Sequence, residues 1–340
     1  MTLEARCDAL VKLGNYLLDK ESKQVLSNVY AKAVSANSWF TPKFCEEAFK
    51  EIALNFLNEK TLLDWVSRYP AIKNHTSQNV AIIMAGNIPA VGFHDVLCSF
   101  ISGNKSLIKY SDKDNVLIPF LLEKIIEFYP DAAAAFQIID KFQGADKVIA
   151  TGSDNSSRYF EYYFSKYNHI IRSNRNAVAV LHGTENEHDI LKLGDDIFRY
   201  FGLGCRSVSK IFLPRNFEIE FLMENLDSYS DMLLENSKYK NNFDYNRSIY
   251  LLNGAKHWCN DSVILLENNS LQSRIATLHV EFYDDLTKVV ENINLNSEKI
   301  QCVVSKEAIS GLVTLELGNS QNPGPGDYPD GVDTLKFLLN

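Results

Sequence analysis

From residue 80 to residue 181 the sequence alternates short apolar runs with stretches of helical period, and few architectures accommodate that pattern. Val80–Met84 (VAIIM) is continuously apolar, as a strand buried on both faces of a parallel sheet must be. Ala85–Pro89 breaks it, and residues 91–102 have helical character. Ser106–Tyr110 predicts a second strand, and 115–129 a second helix ended by Pro130. Phe136–Asp140 and Lys147–Thr151 are further strands, 154–166 a helix, and Ile170–Ile171 with Ala177–Leu181 complete the series. Such alternation implies βαβ units in a mainly parallel α/β sheet. Ligands of such sheets bind at the carboxyl ends of strands, which singles out residues 85–89, 109–112 and 151–154.

Around this block the chain changes character. Residues 3–68 read as helical, with Leu10, Leu13, Leu17 and Leu18 near the helical period and a helix start at Thr41–Pro42 followed by Glu46 and Glu47. A polar connector covers 68–79. After a helix over 186–201 comes the small-residue stretch Gly202–Cys205, and Lys210–Pro214 opens a second α/β block that runs to about residue 305. Gly318–Asp330 is a turn-rich loop before the apolar segment Leu335–Leu339. The expected organisation is therefore 1–182, 183–305, and a tail over 306–340.

Composition removes several classes. A formal charge of −9 opposes sequence-independent nucleic-acid binding, which needs a positive surface. No apolar run is long enough for a transmembrane helix, and Met1–Arg6 lacks the basic-then-apolar signature of a secretory signal. The cysteines at 7, 45, 98, 205, 259 and 302 form no CxxC pair and read as reduced thiols, so a cytoplasmic location is expected. The histidines show no HxxxH or HExxH spacing, and no metal site is expected.

Six residues could carry chemistry. Cys205, between small residues that allow close approach, could be a nucleophile if something lowers its pKa; a buried, inert thiol fits the same residues. Asn87, in a loop at a strand's carboxyl end, could donate to an oxyanion or simply bond its own turn. Lys109 and Ser111 end the second strand and could hold a ribose or a 2′-phosphate; Lys109 could equally be a solvated strand end. Gly152 and Ser153 end a strand and open a helix, where backbone amides suit a pyrophosphate, although N-capping accounts for the same pair. There is no GxGxxG.

The order of these signals is informative: asparagine loop, strand lysine, Thr-Gly-Ser, then Gly-x-Gly-Cys. It resembles the aldehyde dehydrogenase superfamily, and more closely the LuxC-type acyl-CoA reductases, the fatty acyl reductase branch. Ala85–Asp112, Ala150–Ser153, Arg172–Arg175, Phe201–Ser207 and Pro329–Leu335 carry the likeness, which covers roughly residues 75–340. The resemblance implies an aldehyde-dehydrogenase-like fold, with a nucleotide-binding domain in 1–182, a catalytic domain in 183–305, and a tail returning to the first domain or to an oligomer interface. It makes Cys205 the nucleophile and Asn87 its oxyanion donor. Lys109 and Ser111 become adenosine-ribose contacts, and Gly152 and Ser153 the phosphate and nicotinamide loop. Two positions depart from the superfamily. The general-base glutamate segment aligns with Ile171–Arg175, where the glutamate position is apolar. The Glu-x-Phe cofactor contact has no clear equivalent in Ser270–Ala276.

A missing water-activating base favours reduction of a thioester over its hydrolysis. The implied reaction is reduction of an acyl-CoA or acyl-protein substrate to the aldehyde through an acyl-cysteine, using NADPH (or NADH), by a homo-oligomer. Asp112 beside Lys109 and Lys113 gives mixed charge where a 2′-phosphate would sit. His94, His182 and His257 are the titratable candidates for a proton donor. Two other classes stay open: a cysteine acyltransferase or thioesterase without hydride transfer, and a catalytically silent binding subunit.

Overall fold

The computed structural model describes residues 1–153 and 155–340 throughout, and residue 154 in its backbone. The chain divides into two compact units, one formed by 1–174 with 323–340 and the other by 175–322.

The first unit begins with helices α1 (Leu3–Leu18), α2 (Lys23–Ala36), α3 (Pro42–Glu51) and α4 (Glu59–Ser67). The expected start at Thr41–Pro42 is present: Pro42 takes the first helical position and the Thr41 hydroxyl accepts the Phe44 N–H at 3.1 Å. Strands and helices then alternate as β1 (Asn79–Ile83), α5 (Phe93–Ser102), β2 (Lys105–Lys109), α6 (Leu117–Phe128), β3 (Phe136–Ile138), β4 (Lys147–Thr151), α7 (Asp154–Phe164) and β5 (Asn168–Arg172). The sheet has the order β3-β2-β1-β4-β5 and is parallel throughout. Gly103 ends α5 in the left-handed conformation, φ 82°, which glycine adopts without a Cβ penalty. The helices α1, α5 and α6 bury Leu10, Leu13, Phe100 and Leu121 with β1 residues Val80 and Ile82 in one core.

The second unit contains β6 (Asn176–Val180), α8 (Glu187–Phe198), β7 (Val208–Pro214), α9 (Ile219–Leu226), α10 (Ser230–Leu234), α11 (Ser237–Leu252), β8 (His257–Cys259), β9 (Ile264–Glu267), β10 (Thr277–Tyr283), α12 (Leu286–Leu295), β11 (Ile300–Val304) and β12 (Thr314–Leu315). Its sheet has the order β12-β11-β6-β7-β10-β9-β8, parallel except for the edge strand β8. Here the structure differs from the sequence reading, which placed Ala177–Leu181 in the first series. Only Ser173–Arg175 separate β5 from β6. Parallel neighbours in one sheet need a crossover of about a dozen residues. β6 therefore opens the second sheet, paired with β7 and β11.

Residues 323–340 return to the first unit and end in a helix, Thr334–Leu339. They are held by polar contacts in a largely apolar setting. The Arg172 guanidinium donates to both Asp95 carboxylate oxygens at 2.7 and 2.6 Å and to the Thr334 hydroxyl at 2.9 Å. Lys147 donates to the Phe337 and Leu338 carbonyls at 2.9 and 3.1 Å. The Tyr328 hydroxyl accepts from Trp65 Nε1 at 2.9 Å, and Tyr69 donates to Asp333 at 2.9 Å. Because the Arg172–Asp95 pair is buried at 3% and 6% exposure, removing one partner strands a charge away from water. Arg172→Ala should cost about 3–5 kcal/mol in urea unfolding, and the apolar pair Arg172→Met with Asp95→Leu should recover part of that loss. A single-variant cost below about 1 kcal/mol, the scale of an exposed pair, would contradict this account.

Candidate active site

The first sheet has a doubly wound order, and its direction of winding reverses between β1 and β4. That reversal opens a crevice at the carboxyl ends of the two strands, the usual ligand site of such sheets. Five of the six sequence candidates lie on this edge: Asn87 after β1, Lys109 and Ser111 at the end of β2, and Gly152 and Ser153 after β4.

The loop after β1 is fixed from below. Gly86 is packed so closely that a Cβ there would lie 2.7 Å from Ser111 Oγ, so glycine is required by the approach of the β2 loop. Asn37, at the end of α2, donates to the Lys113 carbonyl at 3.1 Å and to the Gly86 carbonyl at 3.4 Å. Ala90 takes a left-handed φ of 54°, and its N–H donates to Asp114 Oδ2 at 2.7 Å. Asp114 Oδ1 accepts the Leu117 N–H at 3.2 Å at the start of α6. Asn87, partly exposed, is carried by this braced loop. Neither Asn37 nor Asp114 is marked by a motif, and each sits beside other polar residues, Ser38 in the first case and Lys113 and Asn115 in the second, so the sequence carries no signal for them.

Lys109 is exposed, with its ammonium 3.5 Å from the Asp140 carbonyl oxygen, and Ser111 accepts the Lys113 N–H at 3.3 Å. Gly152 donates its N–H to the Arg172 carbonyl at 3.2 Å, and a Cβ on it would meet Ser156 at 2.7 Å. Ser153 caps α7, its hydroxyl accepting the Ser156 N–H at 3.4 Å. Capping does not exclude a ligand, because the cap uses the side chain. An ammonium, a hydroxyl and the N-terminus of an 11-residue helix on one edge form a donor set suited to a phosphate-bearing nucleotide.

Cys205 lies in the second unit, and the structure places it at the apex of a tight turn before β7. The Ser207 N–H donates to the Gly204 carbonyl at 3.0 Å, while the Ser207 hydroxyl accepts the Gly204 N–H at 3.3 Å. The chain enters this turn through Tyr200, Phe201 and Gly202, all left-handed, with φ of 57°, 57° and 71°. Among the other thiols, burial pushes Cys45 up to about 12 and Cys98 well above its ordinary value, which keeps both protonated. Cys205 is half-buried.

The histidines fall elsewhere. His94 lies in the first unit's core, donating from Nε2 to the Pro325 carbonyl at 2.9 Å and packed between Phe56 and Tyr328. His182 follows the carboxyl end of β6 and bonds the Ser305 hydroxyl at 3.0 Å. Cys205 precedes the amino end of β7, the parallel neighbour of β6, so the strands alone separate the two by roughly 10 Å. His257 sits on the edge strand β8, three strands from β7. Among the described residues no group of three or more His, Cys, Asp or Glu side chains is arranged to hold a metal, and no helix is long and apolar enough to cross a membrane.

A doubly wound parallel sheet in one unit and a seven-stranded, mostly parallel sheet in the other have the architecture of the aldehyde dehydrogenase fold. Solved structures agree. Aldehyde dehydrogenase 21 from Physcomitrella patens, in complex with its product succinate, superposes with a TM-score of 0.71 at 12% identity, covering 100% of this chain and 84% of that one. An indole-3-acetaldehyde dehydrogenase bound to NAD+ gives 0.72 at 11% identity, covering 97% and 80%. A mutant of aldehyde dehydrogenase C from Pseudomonas syringae, bound to NAD+ and octanal, gives 0.64 at 13%, covering 90% and 72%. No curated protein matches the chain in sequence. The family model for acyl-CoA reductase (LuxC) matches residues 43–228, more than half the chain. The chain belongs to the LuxC acyl-CoA reductase family and is an NAD(P)-dependent oxidoreductase.

Burial pushes the Asp114 carboxyl from its ordinary 3.8 to about 6. A raised carboxyl binds its proton more tightly in the folded chain, so its stabilising contribution is complete below pH 3.8 and is lost as pH rises through 6. The shift corresponds to about 3 kcal/mol. Asp114→Asn should therefore show a smaller loss of stability than the wild type between pH 4 and 6 in parallel urea titrations. Superimposable wild-type and variant profiles would refute the assignment.

Proposed function

We propose that the chain reduces an acyl-CoA, of fatty acyl type, to the aldehyde through a thioester on Cys205, with NADPH as the favoured reductant. The carrying observation is the half-buried Cys205 at the apex of a glycine-preceded turn, in a member of an acyl-CoA reductase family. In this reading residues 1–174 with the returning tail hold the nucleotide, residues 175–322 carry the acyl group, and the protein acts as a homo-oligomer.

The Cys205 thiolate adds to the thioester carbonyl, and the Asn87 amide with the Cys205 backbone N–H stabilises the oxyanion. The carbonyl reforms as the CoA thiolate leaves, giving acyl-Cys205. Lys109, Ser111, Gly152, Ser153 and the α7 N-terminus would hold the reduced nucleotide, which would supply the hydride that reduces the acyl group. Cys205 would leave the reduced carbon as its thiolate, freeing the aldehyde. Water must stay unactivated for this to compete. The end of β5 supports that requirement, because Ile171 is apolar and the Arg172 side chain is turned to Asp95. Hydrolytic relatives need a general-base carboxylate at the aligned position.

Incubation with a long-chain acyl-CoA and no reductant should add one acyl group to the intact mass, and Cys205→Ala should abolish the adduct. An adduct that persists on the variant places the nucleophile elsewhere. Asn87→Ala should slow turnover on the order of 100-fold, as loss of one oxyanion donor does elsewhere; unchanged turnover removes Asn87 from the mechanism. An acyltransferase or thioesterase would consume acyl-CoA without oxidising the nicotinamide, which its absorbance reports directly.

A further inference from the structure

We propose that Ser207 and Gln321 are positioning residues that set Cys205 for acyl transfer, through a hydroxyl shared between the cysteine turn and a distant segment of the same unit. The proposal rests on Cys205 as the nucleophile.

The Ser207 oxygen accepts twice, from the Gly204 N–H at 3.3 Å and from Gln321 Nε2 at 3.2 Å. Ser207 is 2% exposed and Gln321 7%, so water cannot replace either donor without entering the core. Next to this bond, Arg206 donates to the Ser320 carbonyl at 3.4 Å. Arg206 and Ser207, the two residues that follow Cys205, are thus tied to the segment Ser320–Gln321, which lies more than a hundred residues later in the chain, and Gly204 on the other side is tied to it through the Ser207 hydroxyl.

That segment has its own anchor. Asp196, fully buried on α8, accepts the Gly318 N–H at 2.6 Å and the Ser320 N–H at 2.8 Å. Arg199 donates to Asn322 at 3.0 Å. The last turn of α8 therefore fixes Gly318–Asn322, and Gly318–Asn322 in turn fixes the cysteine turn. Between α8 and Cys205 the direct route is the left-handed run Tyr200–Gly202. Two aromatic residues in that conformation are strained, because each Cβ crowds the following carbonyl oxygen. Such strain persists only where the surroundings over-determine it. Phe201, 2% exposed, packs its ring 5.8 Å from Tyr239, which supplies part of that determination, and the Asp196 and Gln321 bonds supply more.

With the hydroxyl in place, the Gly204 amide is committed to the turn and Cys205 stays at its apex. Without it the turn can open and the sulfur can wander from the line of attack. A displacement near 1 Å in a reacting group can cost on the order of 100-fold in rate.

Ser207→Ala and Gln321→Ala each delete the shared bond without adding volume. In single-turnover acylation followed by intact mass, normalised to the fraction of Cys205 that a thiol reagent titrates, each should slow adduct formation between about 10- and 100-fold. kcat should fall with KM unchanged, and the double variant should be little slower than the worse single, since both act through one oxygen. Unchanged acylation in the folded variants, a rise in KM alone, or fully additive losses would overturn the proposal. Should Ser207→Ala fail to fold, Gln321→Ala, a single change outside the cysteine turn, decides the matter alone. A wild type that forms no adduct removes the nucleophile itself, whereas a normal wild-type adduct with normal variant rates removes only the positioning role.

Discussion

Between Arg172 and Asn176 the chain has three residues, while two parallel neighbours in one sheet require a helix-length crossover to return to the same edge. The strand that follows cannot lie beside the one before it. It must start a new sheet, and from that constraint the two-unit architecture follows. The first sheet is left with the order β3-β2-β1-β4-β5 and its winding reversal between β1 and β4. The second is seeded in its middle by β6, onto which β7 and β11 build from either side. Arg172, the last residue of the first series, points back into its own unit to meet Asp95 and Thr334.

Much of this architecture is written in local sequence. The continuous apolar run Val80–Met84 predicts a strand buried on both faces and Lys147–Thr151 predicts a further strand, and both strands occur with bounds shifted by no more than one residue. The helix start at Thr41–Pro42 is legible because capping chemistry is local. Assigning Ala177–Leu181 to a sheet was harder. Its apolar composition fits either sheet equally, and only the length of the Ser173–Arg175 connection discriminates. That length is itself visible in the sequence, and connectivity rather than composition decides the sheet.

The site divides in the same way. Asn87, Lys109, Ser111, Gly152 and Ser153 were found because strand ends are predictable, and topology then gathers them on one edge. Cys205 stood out by its small neighbours. The residues that hold these groups in place were silent. Asp114, Asn37, Asp196 and Gln321 are ordinary polar residues in the sequence, and their significance comes from burial and from partners tens to more than a hundred positions away. The left-handed pair Tyr200–Phe201 is equally illegible, since aromatic residues give no hint of positive φ. Functional groups lie where the local rules place them, whereas their supports are set by long-range packing.

The returning tail has a consequence for biosynthesis. Lys147, Trp65 and Tyr69 bond to residues of 323–340, and Arg172 reaches Thr334 there besides Asp95, so the first unit lacks its closing contacts while the ribosome is still making residues 175–322. The second unit, whose contacts are contained within one unbroken stretch, can mature as it emerges. A nascent chain of this kind finishes folding in the reverse of the order in which its halves begin, and for that interval it exposes a buried lysine and an arginine whose bonds are not yet complete.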